Sequence, residues 1–447
     1  MHTPDILIVG GGPAGASAAI HLAVLVPSLR DRILLIDKKT FPREKPCGGG
    51  LSGRALAALD RMGVEITVPS VATDNVQFRF GERLSRYNVR GACRVVRRAE
   101  FDAMLLRVAR SRGIEVCEDE ALVAIDLPAG QSQDVRSATP PRDPSPRDSR
   151  RAAPGLPSPH APRRARPGDA RRSGFRLHVR TSRRVLEPRA VIAADGAGSL
   201  VRRLAAFAPP RAFARLHLFE IPVREESTPE FVDGAFTFDY SHVPAGVEGY
   251  VWDFPSRIGG RPHLNTGIYH RNARAGGAER ASLLERLGAH LRRRGLDPSE
   301  ARLRSYPDAE YDPGVPLSKP GVLLAGSAAG INALTGEGIW QSLVYGRLAA
   351  EEVVAALATD DYRFATYSAR VAASPMGQDL RLSRRIADLF YGRFFWPLYS
   401  FQEQNPDLRR AYIESFAGKF DLARLSKTHV ALRWGLHAMS ARALVAR

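Results

Sequence analysis

The stretch Asp5-Ile-Leu-Ile-Val-Gly-Gly-Gly-Pro-Ala-Gly15 constrains the fold of this 447-residue chain more than any other. Ile6, Leu7, Ile8 and Val9 form an unbroken apolar run, the pattern of a parallel strand buried on both faces. The run stops at glycines, and residues 14–23 then read as a helix. Gly10, Gly12 and Gly15 fit G-x-G-x-x-G. The first glycine allows the tight turn, the second lets a pyrophosphate approach the backbone, and the third lets helix pack on strand. Pro13 and Ala14 open the helix, whose first N–H groups and positive dipole end are offered to the phosphates. A second strand, 32–37, ends in Asp37, 22 residues beyond Gly15, near the spacing from which a carboxylate reaches an adenosine ribose. Strand, turn, helix, strand and acid in this order predict a Rossmann-like dinucleotide-binding unit.

The length allows two or three closely packed domains with a substantial core. No apolar run is long enough to span a bilayer, and the fingerprint strand begins too early to follow a signal peptide. Cys47, Cys93 and Cys117 are too few and too scattered for a disulfide framework or a zinc site, so no metal is expected and a reducing cytoplasmic setting is. The formal net charge of +18 is placed unevenly. Residues 128–174 carry ten prolines, ten arginines and four acids, a net of about +6, with almost no large apolar side chains. Such a segment cannot bury enough surface to offset its ordering entropy, and we read it as a disordered insertion. The remaining chain is still basic, a balance that suits either nucleic acid or an anionic surface; we expect peripheral contact with the inner face of the cell membrane and do not expect nucleic acid.

Taken in order, residues 1–127 read as the first part of the nucleotide-binding domain, with helices at 53–62 and 98–110 and short strands at 76–80, 94–97 and 114–116. Residues 175–212 continue it. A basic turn joins strands at 175–179 and 184–186, and the buried strand 190–194 ends at Asp195-Gly196. The insertion therefore sits in a loop of a small β-meander, where added length costs only logarithmically in entropy. Strands at 216–223, 231–238, 249–254 and 264–269 then dominate an antiparallel β-sheet domain with a helix, spanning 213–310. Residues 311–379 return to the first domain through the strand 322–326 and the helix 339–357, and 380–447 read as a helical, basic C-terminal region.

Several passages together resemble the geranylgeranyl reductase family of flavoproteins, within the class that includes p-hydroxybenzoate hydroxylase. They are Gly10 to Gly15 with Asp37; Lys45-Pro-Cys-Gly-Gly-Gly-Leu-Ser52; Ala194-Asp-Gly196; and Gly326-Ser-Ala-Ala-Gly330 with Gly336-Glu-Gly-Ile339. A fifth, Gly249-Tyr-Val-Trp-Asp-Phe-Pro255, is similar to the Y-x-W-x-F-P signature of prenyl reductases. The order holds over nearly the whole chain. The resemblance implies an α/β fold: a Rossmann-like FAD-binding domain with an inserted β-sheet substrate domain and a C-terminal helical region. It also implies FAD as cofactor, with NAD(P)H or a ferredoxin-like protein as electron donor.

The same resemblance places the adenosine along Asp37 and Lys38 and the pyrophosphate over Gly12 to Gly15. It brings Gly48 and Arg98 near the cofactor, although Arg98 reads equally well as a solvated neighbour of Arg97. Gly336, Gly338 and Ile339 open a long helix whose positive end faces the flavin pyrimidine. Cys47 is implied near the reactive face, as proton donor or as packing for the ring. Tyr250, Trp252 and Phe254 alternate along one strand and point to one face. With Pro255 they are expected to line an apolar tunnel for a polyprenyl chain, whose binding is mostly burial of CH₂ surface. One position departs from the family pattern: Ser327 follows Gly326 where the family has aspartate at the flavin's ribityl chain. A carboxylate there would be worth on the order of 1.5–3 kcal/mol against about 1 for a hydroxyl, so the serine weakens FAD binding roughly tenfold.

The leading function is saturation of C=C bonds in a geranylgeranyl-type lipid, pigment or quinone side chain. An FAD monooxygenase acting on an aromatic or polyketide substrate is the alternative within the fold. A basic RNA- or membrane-binding protein that retains a flavin fold is the alternative from another class, resting on Ser327 and the arginine-rich insertion.

Overall fold

The computed structural model describes residues 3–127, 174–271, 277–392 and 394–419. The insertion expected over 128–174 lies outside the described residues except for Gly174, as does 420–447 of the C-terminal region.

Three sheets organise the described chain. The first has six strands in the order Ser318–Lys319, Val322–Leu324, Ala190–Ala193, Ile6–Val9, Ile33–Ile36 and Glu115–Cys117. All neighbours run parallel except the first pair. Its central strands are buried at every position because helices cover both faces, which is why they read as unbroken apolar runs. Each such side chain contributes roughly 1.5–3 kcal/mol of burial. Helices Pro13–Leu25, Arg98–Ser111 and Ile339–Thr359 contribute to the same core.

The glycine turn after Ile6–Val9 forms as the fingerprint requires. Gly10 has φ +108°, and a Cβ there would lie 2.3 Å from the Ala194 carbonyl oxygen. A Cβ on Gly15 would lie 1.9 Å from the Gly10 carbonyl oxygen. No side chain fits at either contact, so the helix starts directly against the strand.

The second sheet has eight strands: Arg304–Ala309, Phe213–Pro222, Arg261–His270, Gly249–Ile258, Ala235–Asp239, Ser70–Phe80, Arg83–Val96 and Gly50–Ser52. Its last three strands come from the segment assigned above to the FAD-binding domain. The segments expected at 76–80 and 94–97 are the ends of one long hairpin, Ser70–Phe80 with Arg83–Val96. That hairpin joins the sheet because Val76 and Phe78 pair beside Phe236 and Phe238 of a strand some 160 residues away. The pairing is parallel, so the sheet is mixed rather than antiparallel. A second correction concerns the strand expected at 231–238. Pro229 opens a helical turn, Pro229–Val232, and the strand begins only at Ala235. A third is the edge strand Arg304–Ala309, which carries no strong alternation and went unassigned.

The third sheet is the small meander Leu122–Asp126, His178–Thr181 and Val185–Leu186. Asp126 pairs with His178, so the two ends of the insertion leave from adjacent strands. Helices Pro375–Phe390, Phe395–Gln404 and Pro406–Phe416 form the described part of the C-terminal region. Their aromatic residues pack as a cap: Phe395 lies 5.3 Å from Phe390 and 5.5 Å from Phe80, ring centre to ring centre. No described helix is long and apolar enough to cross a membrane.

Candidate functional site

A cavity of about 460 Å³ runs between the first two sheets, from the fingerprint turn to the aromatic face of the eight-stranded sheet. At one end lie Gly10, Gly12, Pro13 and Ala14, with Asp37 and Lys38 beside them. Asp37 is buried and accepts from the Gly11 N–H at 2.7 Å and the Lys39 N–H at 2.9 Å. Each carboxylate oxygen keeps a further lone pair for a ribose hydroxyl. Gly12 leaves its backbone open, with only Arg43 Nη2 near the place a Cβ would take, at 3.4 Å. The helix behind it contributes first-turn N–H groups that have no intrahelical acceptor.

The middle of the cavity is basic. Arg98 is buried rather than solvated, held by a bidentate pair with Asp102 at 2.8 and 2.9 Å. Arg43 reaches the same Asp102 at 3.2 Å. Lys45 packs its ammonium 2.8 Å from the centre of the Tyr306 ring. No protein acceptor lies within hydrogen-bond reach of that ammonium among the described residues. Burial pushes its pKa down to about 8, with Arg98 and Arg43 lowering it further and Asp308 and Cys47 opposing.

Asp195 caps the helix Leu200–Leu204 by accepting from the Leu200 and Val201 N–H groups at 2.7 and 3.1 Å. Its other oxygen is buried at the cavity wall without a partner, and burial raises its pKa. Ser327 lines the cavity, whereas Gly326 and Gly15 stand behind the lining and shape the turns. Gly336, Gly338 and Ile339 face the cavity at the start of Ile339–Thr359. Glu337, between the two glycines, is held by the Ser52 hydroxyl and by Arg54 at 2.7 Å.

The far end is aromatic. Tyr250, Trp252 and Phe254 line it together with Phe236, Phe238 and Phe416. Phe238 stands edge-on to Tyr250 at 5.0 Å and to Phe254 at 5.5 Å. Pro255, grouped with these residues on the sequence, falls outside the lining because alternation turns it to the opposite face. Trp252 lies across Gly267, its cross-strand partner, where a Cβ would come within 2.4 Å of the indole. Its Nε1–H donates to Asn265 Oδ1 at 2.9 Å, and Asn265 Nδ2 donates to the Cys47 carbonyl at 2.9 Å. Asn265 therefore ties the Cys47 loop to the aromatic wall. The Cys47 Sγ accepts from the Gly49 N–H at 3.4 Å and borders the cavity.

Several of these residues escaped the sequence reading. Arg43 and Lys45 lie in or beside the quoted glycine passage but carry no periodic signal. Phe236 and Phe238 had one, the alternation Phe-Thr-Phe. Asn265 and Asp308 had none. No described cluster of three or more His, Cys, Asp or Glu residues would hold a metal ion.

FAD fits this donor set. There is an acid for the ribose, an open glycine and helix start for the pyrophosphate, a Lys45 ammonium with no protein acceptor among the described residues, and a glycine-flanked helix start for the ring. Comparison with known proteins agrees. Residues 3–135 match the FAD binding domain family. A digeranylgeranylglycerophospholipid reductase of Methanopyrus kandleri is 28% identical over 372 residues, 80% of this chain and 78% of its own length. A geranylgeranyl bacteriochlorophyll reductase-like protein of Thermoplasma acidophilum superimposes with a TM-score of 0.63 at 20% identity, covering 87% of this chain and 88% of that one. The flavin-dependent brominase Bmp2 superimposes with a TM-score of 0.62 at 16% identity over 99% of each chain, so the fold itself serves more than one reaction. Fold and site define an FAD-dependent oxidoreductase. Within that class the chain is similar to the geranylgeranyl-reductase-like flavoproteins.

Two expectations test the cofactor end. Ser327→Asp restores a charge-assisted acceptor and is expected to tighten FAD binding about tenfold in a fluorescence titration of apoprotein. Lys45 is charged below pH 8 and neutral above it, while a bound anion would hold the proton to higher pH. FAD affinity is therefore expected to fall as pH rises from 7 to 9.5, and the Lys45→Gln variant to bind more weakly at pH 7 with a flat profile.

Proposed function

We propose that this protein is an FAD-dependent reductase that saturates C=C bonds of a polyprenyl group carried by a lipid, pigment or quinone. The observation that carries the proposal is the continuity of the cavity. Its basic, glycine-lined part opens without a break onto the aromatic wall of Tyr250, Trp252 and Phe254.

When bound, FAD supplies the hydride from its reduced ring. The protein residues then have three tasks. The aromatic wall binds the chain by apolar burial, at about 25 cal/mol per Å² of surface removed from water, and holds an alkene that has no polar handle. The same wall excludes water from the reacting carbons. In this reading Cys47, on the glycine loop that Asn265 ties to Trp252, delivers the proton to the second carbon. The kinship with a named digeranylgeranylglycerophospholipid reductase favours a prenyl lipid over an aromatic substrate. Electrons come from NAD(P)H or a ferredoxin-like protein. A membrane-borne substrate also calls for an apolar landing surface, and Trp396, Leu389 and Leu382 stand exposed on the C-terminal helices.

The test is anaerobic. Protein reconstituted with FAD is photoreduced and challenged with prenyl phospholipids, prenylated pigments and menaquinones, and reoxidation is followed by flavin absorbance. Reoxidation by one of these with a product two hydrogens heavier is expected. Reoxidation by none of them, with substrate-stimulated oxygen uptake and a hydroxylated aromatic product in air, would overturn the proposal in favour of a monooxygenase. In the same assay Cys47→Ser is expected to slow substrate-driven reoxidation 10²-fold or more while leaving photoreduction unchanged. Reoxidation at the wild-type rate would remove the thiol from the proton's path.

A further inference from the structure

The turn Gly336-Glu-Gly338 is approached by a loop whose backbone groups are satisfied from outside it. Three consecutive carbonyls each accept a tyrosine hydroxyl: Ala333 from Tyr269 at 3.2 Å, Leu334 from Tyr391 at 2.7 Å, and Thr335 from Tyr250. On the N–H side, Asn332 Oδ1 accepts from Leu334 at 2.9 Å and Thr335 at 3.1 Å. The Asn332 Nδ2 is held by Ser383 Oγ at 2.9 Å. Unpaired backbone groups at this depth would be costly, so these side chains decide where the loop lies.

Two of the three tyrosines belong to the aromatic wall. Tyr250 and Tyr269 are direct cross-strand partners, their rings stacked 5.4 Å apart, and both line the cavity. A Cβ on Gly336 would come within 2.8 Å of the Tyr269 ring, so the turn rests directly on it. Aromatic packing alone needs no hydroxyl, and phenylalanine would serve a purely apolar wall equally well. The hydroxyls instead reach past the wall to the loop that presents Gly338 and the helix start.

We propose that Tyr250 and Tyr269 are positioning residues whose hydroxyls seat the 336–338 turn against the ring of FAD, so that the aromatic wall and the cofactor cradle move as one body. Burial raises the pKa of both phenols well above the ordinary value, so they remain protonated donors throughout the range in which the protein would be assayed. One consequence is reciprocal: whatever presses on the wall is felt at the flavin, and the flavin's presence is felt at the wall. The inference rests on the FAD assignment and not on the identity of the substrate.

Tyr250→Phe and Tyr269→Phe test it, because each keeps the ring and removes only the hydroxyl. FAD binding to the apoproteins is followed by fluorescence quenching, and the reduction potential of the bound flavin is measured without substrate. Each variant is expected to weaken FAD binding about five- to tenfold and to shift the potential, with circular dichroism unchanged. A dissociation constant within twofold of wild type together with an unchanged potential would overturn the proposal. Should Tyr250→Phe not fold, Tyr269→Phe decides alone, since its bond is the longer and its loss the milder. Wild-type protein that takes up no FAD would instead refute the cofactor assignment, an outcome distinct from either.

Discussion

Backbone-to-backbone contact at the fingerprint turn is the constraint on which the rest of the structure depends. With no side chain at Gly10 or Gly15, the helix Pro13–Leu25 begins within van der Waals reach of the strand that precedes it. That contact aims the helix N-terminus into the space between the two large sheets. It also brings Asp37, at the end of the neighbouring strand, within 2.7 Å of the Gly11 N–H. A side chain at either glycine would push the helix away and separate Asp37 from the glycine turn. Everything further along the cavity is measured from this point.

The cavity changes character along its length, and the change follows from which sheet supplies the wall. The parallel sheet contributes strand ends and helix starts, which are polar because their backbone groups are unpaired. The mixed sheet contributes one face of strand interiors, which is apolar because its backbone groups are paired and only side chains project. Where the two meet, hydrogen bonds cross the boundary. Asn265 joins Trp252 to the Cys47 loop, and Tyr250 and Tyr269 join the wall to the loop that leads into the Gly336–Gly338 turn. A polar, glycine-lined end and an apolar, aromatic end of one cavity are thereby joined across their boundary.

Parts of this arrangement were legible in the chain itself. The strand and helix of the fingerprint, Asp37, the helix after Gly338 and the alternation of Tyr250, Trp252 and Phe254 all depend on periodicity or on neighbours within a few residues. Other parts were not legible. The hairpin Ser70–Phe80 with Arg83–Val96 was placed in the wrong domain because its sheet partner lies far along the chain. Pro255 was grouped with the wall although period-two alternation turns it away. Arg98 stood equally well as a surface arginine until Asp102, one helical turn on, was seen to hold it inward.

The sequence by itself determined the class of cofactor, because a phosphate-binding turn is local: a few glycines, a helix start and one acid suffice. It also determined that an aromatic strand exists, since side-chain direction along a strand needs no partner. Only the tertiary structure decided what that strand faces. The surroundings of Lys45 come from Arg98, Tyr306 and Asp308, remote in the chain, and among the described residues its ammonium has no acceptor within hydrogen-bond reach. Register across the mixed sheet set the Tyr250 and Tyr269 hydroxyls under the Thr335 and Ala333 carbonyls of a loop more than 60 residues away. Long-range pairing carries no signature in either partner alone, and it is there that the wall and the cofactor site become one.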